Sequence, residues 1–266
     1  MGRLMCRLMP RLLKALPLTF VLAVLSIFSA SCGSSNAPAQ VRFVNAIPDT
    51  AQYGTALDID VTGPNAASTL EFTHVSFLGV QPNQPGYTSV PSGRDTIAGV
   101  STGTTTPVFS DTATLGAGAH YTLVATGLYQ IPPNVSNIAL LEISDNIPTP
   151  PSGDVEFRVI HASPSGPASV DVYIELNPNT GPGLPITVQG LTYTQASKYV
   201  TFTFNPNNAT PPPGFTVYVT ASGSTTTIFS YPLNPSTAGA VRTLVLTDVE
   251  NGNTMNTSFL ELSDLN

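Results

Sequence analysis

His161 and Asp171 are the pair in this sequence whose types and spacing suit proton chemistry. By strand parity His161 shares a face with Val155, Phe157 and Val159, so it ends an apolar stripe. Asp171 follows ten residues later on the next predicted strand, Ser169-Val170-Asp171-Val172-Tyr173-Ile174, after a proline-bearing turn. An imidazole beside a carboxylate is a general base with its orienter, and that chemistry needs a nucleophile. No convincing nucleophile motif accompanies the pair. An earlier copy of the same stretch carries Asn45 in the place of His161. Asn is no base, yet it donates and accepts similar hydrogen bonds. His161 and Asp171 therefore read as a structural polar pair, with no catalytic residue assigned.

Metal chemistry finds little more. The three histidines, His74, His120 and His161, fall in different strands with no ligand spacing. Asp58 and Asp60 stand two apart on one strand, hence on one face, and Asp171 and Glu175 do so at a wider step. Calcium takes several oxygen ligands, so these four are calcium candidates. The chain lacks the Asp-x-Asp-x-Asp-Gly loop, and a solvated acidic face explains them as well. No cofactor is implied. Hydroxyl-rich loops, Ser222 to Thr227 and Asn205 to Gly214, are candidates for contact with a protein or glycan partner.

The elements that would hold these residues are strands. Charged residues are only 9 % of the 266, while there are 21 glycines and 25 prolines, a balance that favours strands and turns over helices. Leu57, Ile59 and Val61 alternate with Asp58 and Asp60, and Val170, Val172 and Ile174 alternate with Asp171, Tyr173 and Glu175. That period of two is strand chemistry. Turn signals such as Gly63-Pro64, Pro85-Gly86 and Gly116-Ala117-Gly118 punctuate the chain.

The plan occurs twice. Arg42-Phe43-Val44-Asn45-Ala46-Ile47-Pro48 matches Arg158-Val159-Ile160-His161-Ala162-Ser163-Pro164. Asp58 matches Asp171, Phe109-Ser110 matches Phe229-Ser230, and Tyr121 to Val124 matches Arg242 to Val245. Leu141-Glu142-Ile143-Ser144-Asp145 matches Leu260-Glu261-Leu262-Ser263-Asp264. The expected fold is all-β: two tandem antiparallel β-sandwich domains of immunoglobulin-like architecture, residues 41–146 and 154–266, with an open barrel as the alternative. Between them the linker 147–153 has three prolines in four positions. Polyproline geometry would make it semi-rigid and hold the two domains apart.

Charge is unevenly placed. Arg3, Arg7, Arg11 and Lys14 precede an uncharged stretch, Ala15 to Ser31, and no acid precedes Asp49. A basic start followed by a short apolar run predicts a secretory signal over residues 1–31. Beyond residue 31, five basic residues face sixteen acidic ones, a net charge of −11. A nucleic-acid binder needs a basic face, so that class is excluded. The two cysteines, Cys6 and Cys32, both lie in this leading part, so the body has neither a disulfide framework nor a thiolate site. Ser29-Ala30-Ser31-Cys32-Gly33 resembles a bacterial lipobox, with Ser29 where Leu is usual. The resemblance implies a diacylglyceryl group on Cys32, a membrane as partner, and residues 32–40 as a tether.

Arg158 to Pro164 with Val170-Asp171-Val172-Tyr173, and Gly118-Ala119-His120-Tyr121-Thr122-Leu123-Val124, resemble the signature of a bacterial exported family, domain of unknown function 4397. The resemblance extends over residues 41–266 as two copies and implies a secreted or surface-anchored β domain, with no catalytic residues to carry over. The functional expectation is a lipid-anchored envelope protein acting as a binding, adhesion or structural module. Its domains should have convex ends and no perturbed titratable group. The alternative is an envelope hydrolase or carbohydrate-active enzyme, which predicts clustered carboxylates or histidine in a cleft.

Overall fold

The computed structural model describes residues 37–50, 55–64, 67–129, 137–176, 187–203, 214–233, 237–251 and 254–265. The signal segment, Cys32 and tether residues 33–36 lie outside the described residues. The described residues are all-β, with one 3-10 turn at Pro48–Thr50. The first repeat supplies β1 (Ala39–Asn45), β2 (Leu57–Thr62), β3 (Thr69–Val75), β4 (Val80–Gln81), β5 (Thr88–Val90), β6 (Gly93–Ser101), β7 (Pro107–Leu115), β8 (His120–Thr126) and β9 (Ala139–Ser144). The second supplies β10 (Asp154–His161), β11 (Ser169–Leu176), β12 (Val188–Thr192), β13 (Val200–Thr203), β14 (Phe215–Ala221), β15 (Thr227–Leu233), β16 (Val241–Asn251) and β17 (Thr254–Leu265). The expected tether is shorter than 32–40, because β1 already begins at Ala39.

Each repeat is a sandwich of two sheets. The first pairs β4-β1-β8-β9, with β5 also on β1, against β3-β2-β6-β7. The second pairs β13-β10-β16-β17 against β12-β11-β14-β15. The registers agree residue by residue: Arg42 lies opposite Thr122 and Arg158 opposite Thr243, while Asp58 faces Val100 and Asp171 faces Thr220. The expected antiparallel pairing fails at one ladder per repeat, since β1 runs parallel to β8 and β10 to β16. The chain leaves after β1, builds the opposite sheet, and returns alongside β1 in the same sense; a parallel pair needs such a crossover.

The central strands bury both faces. From β1 and β8, Val41, Phe43, Tyr121, Leu123 and Ala125 join Ile59 and Ile97 in the core of the first sandwich. Phe157, Val172, Val217 and Leu244 do the same in the second. The opposite faces meet each other: Val44, Val124 and Leu141 pack with Ile160, Val245 and Leu262 in a third apolar cluster. The linker therefore does not hold two domains apart, and residues 37–266 form one compact unit. Proline stiffness sets the path of the connection; burial of the two apolar sheet faces sets the packing.

A polar network with pseudo-two-fold symmetry closes this middle layer. The Arg42 guanidinium pairs with Asp264 and donates to the Ser263 carbonyl at 3.2 Å. The Arg158 guanidinium pairs with Asp145 and donates to the Ser144 carbonyl at 3.1 Å. Each Nε donates at 2.7 Å to a threonine, Thr122 or Thr243, whose hydroxyl donates at 2.6 Å to Asp145 or Asp264. Tyr87 donates to Asp145 at 2.9 Å and Tyr199 to Asp264 at 3.0 Å. Each tyrosine ring also lies under an arginine, at 5.3 Å for Arg42 and 4.8 Å for Arg158. Burial alone would lower the Arg42 pKa, but Asp264 and Asp145 hold it above its ordinary value. Burial pushes both tyrosine hydroxyls up, so they stay protonated and donate.

Candidate functional site

The structure separates His161 from Asp171. The His161 ring ends β10 with Nε2 at 2.9 Å from the Pro167 carbonyl, and Nδ1 accepts from the Ser163 amide at 3.4 Å. A carbonyl only accepts, so Nε2 carries the proton and the ring is neutral. Burial lowers its pKa, against the opposing influence of Pro167 and Asp248. Asn45 does the same work in the first repeat: Nδ2 donates to the Val75 carbonyl at 3.0 Å and Oδ1 accepts from the Ile47 amide at 3.1 Å. His161 is hydrogen-bonded within its own turn, and Asp171 is not among its partners. Asp171 lies on the face of β11 away from the core. There it accepts from the Gly190 amide at 2.7 Å, Ser222 Oγ at 3.1 Å and the Gly223 amide at 2.9 Å. Burial would raise its pKa, yet these donors hold it below the usual carboxylate range.

Asp58 has the corresponding role in the first repeat, accepting from the His74 amide at 2.7 Å and Thr102 Oγ1 at 2.9 Å. Asp60 lies along the same strand opposite Ala98, and Glu175 lies opposite Thr216. Among the described residues no three His, Cys, Asp or Glu side chains converge to hold a metal. Asp58 and Asp171 instead organise the loops at one end of each sandwich.

At that end the first repeat carries a cleft of about 630 Å³, whose lining includes Thr55, His74, Ser101, Thr104, Thr106 and Tyr129. The expectation of convex ends is thus corrected. The expectation of no perturbed titratable group fails as well: Arg42, Tyr87, Asp95, His161 and Tyr199 are shifted, and so is Asp171 at the loop-bearing end of the second repeat. Ser101 Oγ and Tyr129 OH lie 2.9 Å apart, and the Tyr129 amide donates to Asp49 at 2.8 Å. Thr104 Oγ1 donates to the Ser101 carbonyl at 2.8 Å. The His74 side chain is 73 % exposed.

The second repeat shows how this end looks without the cleft residues. The amide of Gly190 bonds Asp171 as that of His74 bonds Asp58. Ser222 bonds Asp171 as Thr102 bonds Asp58, and Ala221 stands in the place of Ser101. Gly190 has φ +63°, which glycine adopts freely; His74 has φ +52°, which costs a side chain of the order of 1–2 kcal/mol. A strained, exposed histidine where the sister repeat uses glycine is the kind of outlier that functional sites tolerate.

One signal for this cleft was missed in the sequence. Gly99-Val100-Ser101-Thr102-Gly103 has Gly-x-Ser-x-Gly spacing. A nucleophile elbow needs a strand-to-helix turn, whereas Ser101 ends β6 and a hairpin leads into β7. The Ser101 hydroxyl is engaged with Tyr129, and His74 Nδ1 is 3.8 Å from Asp58 Oδ1, beyond hydrogen-bond range.

Residues 39–173 match the model of a family described as a domain of unknown function, DUF4397. No curated protein matches the chain. Among solved structures the chain is similar to a candidate adhesin from Bacteroides ovatus, at 10 % identity and a TM-score of 0.27, covering 84 % of this chain and 92 % of that one. It is similar also to a candidate cell adhesion protein from Bacteroides ovatus ATCC 8483, at 11 % identity and a TM-score of 0.20, covering 86 % and 98 %.

Proposed function

We propose that this chain, which belongs to the DUF4397 family, is a non-enzymatic binding module of the cell envelope, tethered through a lipid on Cys32. The observation that carries the binding role is the cleft of the first repeat, with strained His74 where the second repeat has Gly190. The four-sheet unit holds that cleft on a rigid base, since the two sandwiches share a buried face. Among the described residues no helix is long and apolar enough to cross a membrane; the lipobox-like Ser29 to Gly33 supports attachment by a lipid instead.

A second reading, an envelope hydrolase, draws on Ser101, His74 and Asp58 lying at one end of the first repeat. The hydrogen bonds there disfavour it, because Ser101 is engaged by Tyr129 and shares no bond with His74.

A photo-reactive side chain in place of Thr104, on the cleft rim, tests the binding role in intact cells. Crosslinks to a cell-surface or external component are expected, and none at any illumination time would overturn it. Detergent phase partition tests the anchor: the intact chain should enter the detergent phase and Cys32→Ala the aqueous phase. Identical partition would remove the lipid.

A further inference from the structure

We propose that the cleft of the first repeat binds a neutral saccharide unit. The inference rests on the binding-module reading and adds the chemical class of ligand. Its first support is composition. Among the described residues the lining has the hydroxyls of Thr55, Ser101, Thr104, Thr106 and Tyr129, the imidazole of His74, and no lysine, arginine or glutamate. A hydroxyl both donates and accepts. A wall of hydroxyls therefore suits a ligand whose own groups are hydroxyls, because every contact can be satisfied in either direction.

Charge narrows the class. Among the described residues no arginine or lysine lines the cleft to pair with an anion, and the body carries a net charge of −11. A cationic ligand would need a carboxylate aimed into the cleft. Asp58 is only 15 % exposed and is taken up by the His74 amide and Thr102. Only an uncharged ligand leaves no buried charge unpaired. Ala56, Pro107, Val108 and the Tyr129 ring make about half of the wall apolar, which suits the C–H faces of a sugar ring, while the hydroxyls beside them would go unpaired against a purely apolar ligand.

Shape and placement agree. A volume of about 630 Å³ falls within the roughly 300–1,000 Å³ of small-molecule sites, enough for one or two sugar rings. Tyr129 offers both an aromatic body and a hydroxyl, the combination that meets a sugar's C–H face and its rim together. Ser101 holds that hydroxyl at 2.9 Å, so the ring is positioned before any ligand arrives. The second repeat has Ala221 and Gly190 in these places. It lacks both the hydroxyl clamp and the imidazole, so the proposal assigns binding to one end of the molecule only.

The test is retention of the full chain, in detergent, on an array of neutral glycans (glucans, mannan, galactan, chitin oligosaccharides) beside anionic ones (polygalacturonate, hyaluronan, heparin). Retention on at least one neutral glycan is expected. His74→Gly and Ser101→Ala should each weaken it tenfold or more, while Ser230→Ala, on the exposed face of β15 in the second repeat, leaves it unchanged. Retention on anionic glycans alone, no retention at all, or neutral-glycan retention that survives both cleft substitutions would overturn the assignment. If no glycan is retained but crosslinks from position 104 reach a protein in intact cells, the saccharide falls and the binding module stands. If both fail, both fall.

Discussion

Replacing Arg42 should damage the protein more than replacing Arg158, although the two stand in equivalent places. Arg42→Ala strands Asp264, whose remaining partners are Thr243 at 2.6 Å and Tyr199 at 3.0 Å. It also removes the second cation beside Asp145, 3.7 Å away. Arg158→Ala leaves Asp145 with Thr122, Tyr87 and that same Arg42. Breaking a buried pair and leaving one charge uncompensated costs about 3–5 kcal/mol. The upper end is expected for Arg42→Ala and the lower for Arg158→Ala. With a urea dependence of about 2 kcal/mol per M, the unfolding midpoint should fall by about 2.5 M and about 1.5 M respectively. Arg42→Ala/Asp264→Ala should recover part of the loss, because the stranded carboxylate goes with its partner. Urea titration by circular dichroism reads all three. A fall below about 0.5 M for both single variants, or Arg158→Ala proving the worse, would refute the view that this network binds the repeats into one body.

Asp95 is fully buried, neither of its carboxyl oxygens has a hydrogen-bond partner among the described residues, and burial raises its pKa above the ordinary 3.8. The unfolded chain then ionises first, so stability is fully present below the unfolded pKa and is lost as pH rises through the folded one. Asp95→Asn should therefore raise the thermal midpoint at pH 7 and leave it unchanged near pH 3; an equal shift at both would contradict the assignment. His161→Asn, which installs the residue the first repeat uses, should cost about 1 kcal/mol or less, while His161→Leu should cost about 1–3 kcal/mol by orphaning the Ser163 amide; equal losses in chemical denaturation would deny the hydrogen-bonding role. His74→Gly relieves a left-handed backbone and should leave the thermal midpoint unchanged or higher, so a marked drop would mean that the His74 side chain serves the fold.

The fold class was legible because strand alternation and the doubled motif both survive in the residues. Leu57-Asp58-Ile59-Asp60-Val61 alternates between core and outer face as its pattern implies. Arg42 and Arg158 are equivalent in the ladders, and Asp145 and Asp264 each follow an equivalent serine, Ser144 opposite Tyr121 and Ser263 opposite Arg242. Their meaning was not legible. Each arginine pairs chiefly with the aspartate of the other repeat, and nothing local in either stretch announces a partner 222 or 13 residues away. The linker misled for a related reason: three prolines describe the stiffness of a segment, not the apolar faces on either side of it. His161 and Asp171 were paired because turns bring neighbouring strands together. Parity was right for each, and it put the aspartate on the outer face, where backbone amides claim it. The cleft escaped because the loop before His74 and the loop before Gly190 differ in length, so only the structure aligns them.

The division of labour between the repeats follows from where symmetry constrains them. In the middle layer a change on one side must be answered on the other, since Arg42, Thr122 and Asp145 meet Arg158, Thr243 and Asp264 in one buried network. The ends held by Asp58 and Asp171 carry no such obligation. Each is closed by its own carboxylate, and the two are free to differ. The second repeat fills its end with Gly190, Ala221 and Gly223, residues that let the chain turn at little cost. The first places His74, Ser101 and Tyr129 there and accepts backbone strain at His74. A duplicated sandwich thus supplies its own reference state. The strain in the first repeat is measured against a sister that avoids it, which makes the cleft the place where this molecule departs from what its fold requires.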